Sequence, residues 1–152
     1  MTARDYFEGV RAAQRAIDRR LASLAAMRER EGLRAQRYDA VGRGSGPRDV
    51  MAATDARIDA EERSRAELGA LYAEVSDARE VCRGLRAACP HRAEWGDVLE
   101  MRYCDALDWR NVADAMRASE RQCRTWHDAA LDFVDANGLA RVRGGCGQAA
   151  LF

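Results

Sequence analysis

"WRNVADAMRASERQCRTWHDAAL", Trp109 to Leu131, is the stretch on which the reading of the fold turns, because it breaks a chain of long Ala/Arg/Glu segments and holds two of its three tryptophans. Asp108, just before it, is suited to cap a helix starting at Trp109. Val112, Ala113 and Met116 then point one way at helical steps. Ser119 followed three places on by Gln122 has the form of a capping box, so a new helix starts there after a short turn. The inner face of that helix is Cys123, Trp126, Ala130 and Phe133 or Val134, and "ANG" supplies its stop, with Gly138 suited to a left-handed cap. Upstream, Trp95, Val98, Leu99 and Tyr103 form one more helical face, joined to the rest by "CDAL". Three short helices with a tight turn between the last two constitute a helix-turn-helix.

Working outward, the only two prolines, Pro47 and Pro90, fall where helices should begin, since proline is excluded from a helix interior but suits a first turn. Before Pro47, Tyr6, Val10, Ala13, Ile17, Leu21, Leu24 and Met27 recur at three- or four-residue steps, which predicts one long amphipathic helix. The glycines of "VGRGSG" predict a flexible reversal. Ile58, Leu68, Leu71, Tyr72, Val75, Ala78, Cys82 and Leu85 then predict a second long helix. Neither stripe can be buried alone, so the expectation is an all-α chain: a long antiparallel, coiled-coil-like hairpin over residues 1–89, a helix-turn-helix domain over 90–138, and a flexible Gly-rich tail over 139–152. A homodimer formed through the hairpin, or packing of the hairpin on the C-terminal domain, would cover what remains of the stripes.

Composition narrows the function. With 25 basic and 25 acidic residues the formal net charge is zero, so only a local arrangement of positive groups can draw the chain to nucleic acid. Every basic residue is Arg. The start, "MTARDYFEGVRAAQ", has no apolar run like a signal peptide, and no stretch of about twenty apolar residues occurs, so a cytosolic protein with no membrane partner is expected. Five irregularly spaced cysteines argue against a disulfide framework.

A helix-turn-helix that reads DNA needs a small residue where its two helices cross, filled here by Ala113, and an outward face on the second helix that can enter a major groove. That face holds Glu120, Arg121, Gln122, Arg124, Thr125 and Asp128; Arg121, Gln122, Arg124 and Thr125 can donate to base edges or phosphates. Arg110 and Arg117, near the helix starts, are placed to hold the backbone on either side. The spacing also allows a plainer reading, in which Glu120 with Arg124 and Arg124 with Asp128 are ordinary exposed ion pairs.

From Trp95 to Leu131 the order "EMRY", "DWRNVA", "SERQC" and "AAL" resembles the promoter-recognising C-terminal region of bacterial sigma factors. From "TARDYF" through "GSGPRD" to "AAL" the chain is also similar to a family of small phage-encoded proteins with a helical hairpin before a sigma-like helix-turn-helix. The resemblance implies a phage or prophage transcriptional regulator that binds double-stranded DNA, with RNA polymerase as a further partner. It places DNA-facing positions on Glu120, Arg121, Arg124 and Thr125, a cap on Ser119, and core positions on Cys123 and Trp126. Ala106 and Arg117 stand where that pattern has glycine, and Arg117 in the turn implies a left-handed backbone costing about 1 kcal/mol. The aromatic-rich region with which a complete sigma factor melts promoter DNA has no counterpart here, so a free-standing sigma factor is not expected.

Cys123 and His127 lie one helical turn apart, and Cys82, Cys89 and His91 make a looser group, but neither supplies a paired CxxC. Cys123 reads as core and His127 as partly exposed. No phosphate loop, carboxylate pair or dinucleotide fingerprint occurs, so neither an enzyme nor a cofactor is expected. Two rival readings remain: a phage terminase small subunit, whose DNA-binding motif usually precedes its oligomerisation helices, and an interaction module that grips another protein.

Overall fold

A computed structural model describes the backbone of residues 1–41 and 46–146 and the side chains of residues 1–36 and 50–146. The fold is all-α, with no strand among the described residues. Helix α1 spans Ala3–Val41 and α2 spans Gly46–Ala88, which puts Pro47 in the first turn of α2. Pro90 opens a 3-10 turn, Pro90–Arg92. Helix α3, Ala93–Leu99, runs on through a π turn at Glu100–Cys104, closed by Asp105 N–H donating to the Glu100 carbonyl. Then come α4, Trp109–Met116; α5, Glu120–Asn137; and α6, Leu139–Arg143. The predicted reversal at "VGRGSG" lies largely outside the described residues.

The chain divides into two compact units, and the division is not at Pro90. The first unit takes Met1–Arg15 together with Tyr72–Phe152; the second is Ala16–Leu71. Long-range chemistry explains the first. Phe7, Val10 and Ala13 of α1, Ala78, Val81, Cys82 and Leu85 of α2, and Val98, Leu99 and Tyr103 from α3 and its π turn are all buried, so the ends of the long helices share a core with the C-terminal helices. The Phe7 and Tyr103 rings lie 5.3 Å apart. Ala3 N–H donates to Asp135 Oδ1 at 2.7 Å, and Arg11, itself buried, donates through Nε to the Arg102 carbonyl at 3.2 Å. Arg86 binds Asp97 and Glu100, while Arg79 bridges Glu100 at 3.1 Å and Asp105 at 2.8 Å. Where α2 meets α6, a Cβ on Gly84 would fall 1.9 Å from the Val142 carbonyl oxygen, so only glycine allows that approach.

The expectation of a loose tail from residue 139 is corrected over its first residues: Leu139–Arg143 is helical, Val142 is fully buried, and Arg143 binds Asp77 at 2.8 Å. Residues 147–152 lie outside the described residues. Gly138 does take a positive φ of 87°, but its ψ of 145° leads into α6 rather than through a left-handed helical cap.

In the second unit, Arg20 pairs with Glu67, Arg28 with Glu61 at 2.6 Å, and Glu31 with Arg57. Rising numbers on α1 meet falling numbers on α2, so these segments run side by side in opposite directions. The α2 seam, Val50, Thr54, Arg57, Glu61, Ser64, Leu68 and Leu71, advances by alternating steps of four and three, as in a coiled coil. Its middle is polar: Thr54 Oγ1 donates to Glu31 at 2.8 Å and Arg57 holds both Glu31 and Glu61. The apolar stripes read from sequence therefore divide. Ile17 and Leu68 are buried, whereas Leu21 and Ile58 are 45% and 41% exposed.

Candidate nucleic-acid interface

The α4–α5 pair is built from local signals that the sequence carries. The Asp108 carboxylate accepts from Asn111 N–H at 2.9 Å, satisfying one of the free amides at the start of α4. Ser119 Oγ accepts from Gln122 N–H at 3.0 Å and starts α5 in the same way. Between them α4 ends at Arg117 with φ 53° and ψ 44°, a left-handed residue, and the Ala118 amide closes the turn on the Ala113 carbonyl at 3.2 Å. Ala106, on the other side of α4, has φ 56°. Among the described residues these are the two non-glycines with positive φ.

Beneath the turn, Val98, Val112, Ala113 and Cys123 form a buried cluster, flanked by Met101, Leu107, Trp109, Met116, Ala118 and Trp126. Ala113 is the small residue that lets α5 cross α4, and Cys123 lies in the core behind α5, its thiol pushed up by burial. With that face committed inward, all eight candidate residues are exposed: Arg110 and Arg117 on either side of α4, Ser119 at the cap, and Glu120, Arg121, Gln122, Arg124 and Thr125 along the first turns of α5. Thr125 Oγ1 donates to the Arg121 carbonyl at 3.0 Å, which leaves its oxygen as an acceptor.

Among the described residues Arg124 makes neither of the ion pairs that its spacing allows, with Glu120 or with Asp128. Its guanidinium lies over the Trp109 ring, 5.1 Å from the centroid. A second guanidinium, that of Arg102, sits 4.8 Å from the same centroid and donates to the Leu107 carbonyl at 3.1 Å. No ion pair among the described residues engages Arg110, Arg117 or Arg121. Asp128 is taken up by Arg4 at 3.6 Å and by His127 at 2.9 Å. The Trp109 platform was not legible in the sequence, because its three members come from the π turn, α4 and α5.

His127 is corrected from partly exposed to buried. Its ring stacks on Tyr103 and meets the edge of Trp109, with centroids 5.6 and 5.0 Å apart. Nε2 lies 2.5 Å from Tyr103 Oη and Nδ1 lies 2.9 Å from Asp128 Oδ1. A neutral ring with its proton on Nδ1 satisfies both, donating to Asp128 and accepting from the tyrosine. Burial pushes the His127 pKa down against the opposing pull of Asp128, and burial raises Tyr103 to about 12. Both ring nitrogens thus have protein partners. Among the described residues no three His, Cys, Asp or Glu side chains gather in a way that would hold a metal. Cys82 does not join Cys89 and His91; it is fully buried, and a hydrogen bond with Cys104 and burial push its thiol well up.

No helix among the described residues is long and apolar enough to cross a membrane. No family model, no curated protein and no solved structure matches the chain.

Proposed function

We propose that the protein is a sequence-specific DNA-binding transcriptional regulator of phage or prophage type, in which the exposed side of α5 enters the major groove of a duplex. The observation that carries this reading is the division of α5 into two sides: Cys123, Ala130 and Val134 buried, and Arg121, Gln122, Arg124 and Thr125 exposed directly after a capped start. Arg121 and Arg124 supply planar guanidiniums able to take the two acceptors of a guanine edge; Gln122 suits adenine, and Arg110 and Arg117 suit the flanking phosphates. Glu120 at the first turn accepts from a cytosine amino group. RNA polymerase is a further partner only by the sigma-factor resemblance, as is the phage setting.

Selection of bound duplexes from a random pool tests the reading. Recovery of a common sequence, with binding weakened in Arg121→Ala and in Arg124→Ala while the helical circular dichroism is kept, is the expected result. An empty selection, or unchanged binding by both variants, overturns it.

A further inference from the structure

Within the second unit, four arginines line one side of the paired segments. Arg30, Arg34 and Glu31 wall an open groove of about 160 Å³ whose floor is Met27, Ala53 and Ala56. Arg63 stands two helical turns beyond Ala56, and Arg19 three turns before Arg30, so both project to that same side. All four are exposed, and none makes an ion pair with a described residue; Arg30 Nε only reaches back to the Ala26 carbonyl at 3.4 Å. Of the carboxylates facing this side, Glu31 is held by Arg57 and Glu67 by Arg20, while Asp59, one helical turn before Arg63 on α2, is exposed. With four unpaired arginines against the single carboxylate of Asp59, a chain with no net charge carries a local positive excess along this ridge.

The pairings of Arg20 with Glu67 and Arg28 with Glu61 fix the register, and they put Arg63 level with Ala25. Along the axis the order is Arg19, Arg63, Arg30, Arg34, in steps of roughly 6 to 9 Å from the helical rise. Successive phosphates on one strand follow one another on this scale, and each guanidinium can grip a phosphate with two parallel N–H donors. The floor of alanines and one methionine presents no charge of its own and lets a backbone approach closely.

We infer that this ridge is a second, sequence-independent contact for the sugar-phosphate backbone of a nucleic-acid duplex, apart from the α5 face. The inference rests on the reading that the chain binds DNA and adds to it a partner surface that reads charge alone. Binding through such a ridge releases counterions, so its signature is the steepness with which affinity falls as salt rises.

The test uses the full chain and a random-sequence duplex, with affinity measured over a range of salt concentrations. Replacing Arg19, Arg30, Arg34 and Arg63 together by Ala should flatten the log–log slope by up to about 3.6, at roughly 0.9 for each phosphate no longer gripped. The fourfold Lys variant should keep most of the slope. An unchanged slope in the Ala variant, with its helical signal intact, overturns the inference; if Arg121→Ala still weakens binding to a selected site, the α5 reading stands. An unchanged slope combined with loss of binding to a synthetic acidic amphipathic peptide would assign the ridge to a protein helix instead. Absence of duplex binding by the unaltered chain at low salt overturns both.

Discussion

Arg124 of α5 lies with its guanidinium 5.1 Å from the centre of the Trp109 ring, which opens α4, so the outward face of the second helix is steadied by the first residue of the helix before it. A guanidinium held this way keeps its edge N–H groups free while giving up little rotamer freedom on meeting a ligand.

Arg121→Ala and Arg124→Ala should each weaken binding to a selected duplex by about 1 to 3 kcal/mol. The two should differ in the absence of DNA. Arg124→Ala also removes the stacking on Trp109 and should lower stability by about 0.5 to 1 kcal/mol, whereas Arg121→Ala should leave it unchanged. Denaturant unfolding of both variants separates them; equal stabilities would show that the ring interaction has no energetic weight.

Arg117 and Ala106 hold left-handed backbone at φ 53° and 56°. Glycine takes that conformation without a Cβ clash, so Arg117→Gly and Ala106→Gly should each stabilise the fold by about 1 kcal/mol, raising Tm by roughly 2 to 4 °C. For Arg117→Gly the duplex affinity should fall as stability rises, because the guanidinium proposed to grip a phosphate is removed. A fall in Tm for either variant would mean that the side chain contributes more than its backbone costs.

Gly84→Ala should be strongly destabilising, since the new methyl group would meet the Val142 carbonyl oxygen at 1.9 Å and the Arg143 carbonyl oxygen at 2.6 Å. Relief requires α6 to move off, and uncovering Val142 costs about 1.5 to 3 kcal/mol. The midpoint of chemical unfolding should drop accordingly. A shift below about 0.5 kcal/mol would show that α6 is not held against α2.

Because burial lowers the pKa of His127, the folded chain prefers the neutral ring and the unfolded chain takes up the proton first as pH falls. This contribution to stability is therefore fully present above the ordinary value of 6.5 and fades progressively below it, down to the depressed folded value. The slope there should approach about 1.4 kcal/mol per pH unit. His127→Gln should be less stable at pH 8 yet show a flatter profile between pH 6.5 and 5. An identical slope in both proteins would assign the acid sensitivity to other groups.

The parts legible in the sequence are those fixed by near neighbours. Asp108 and Ser119 announce helix starts because a cap needs only its own side chain and an amide three residues on. The left-handed backbone of Arg117, expected by resemblance alone, is present at φ 53°. Periodicity, by contrast, finds the inner face of a helix but not what covers it. Val10, Ala13 and Ile17 follow the predicted stripe and are buried, but Phe7, off that stripe, is fully buried, and Leu21, on it, is not. The burial of His127 and of Val142 likewise depends on partners far away in sequence: Tyr103 for the first, Gly84 for the second. At the candidate face, residue identities were readable, while the Trp109 platform needed the crossing of three elements.

The bond from Ala3 to Asp135 spans 132 positions. During synthesis the Ala3 segment therefore emerges long before the acceptor that will hold it, and Phe7 lacks its ring partner until Tyr103 has cleared the ribosome. A messenger cut short ahead of the π turn would release a product with a bare greasy face, ready for capture by chaperone or protease, so the architecture couples survival of the polypeptide to synthesis of its C-terminal helices.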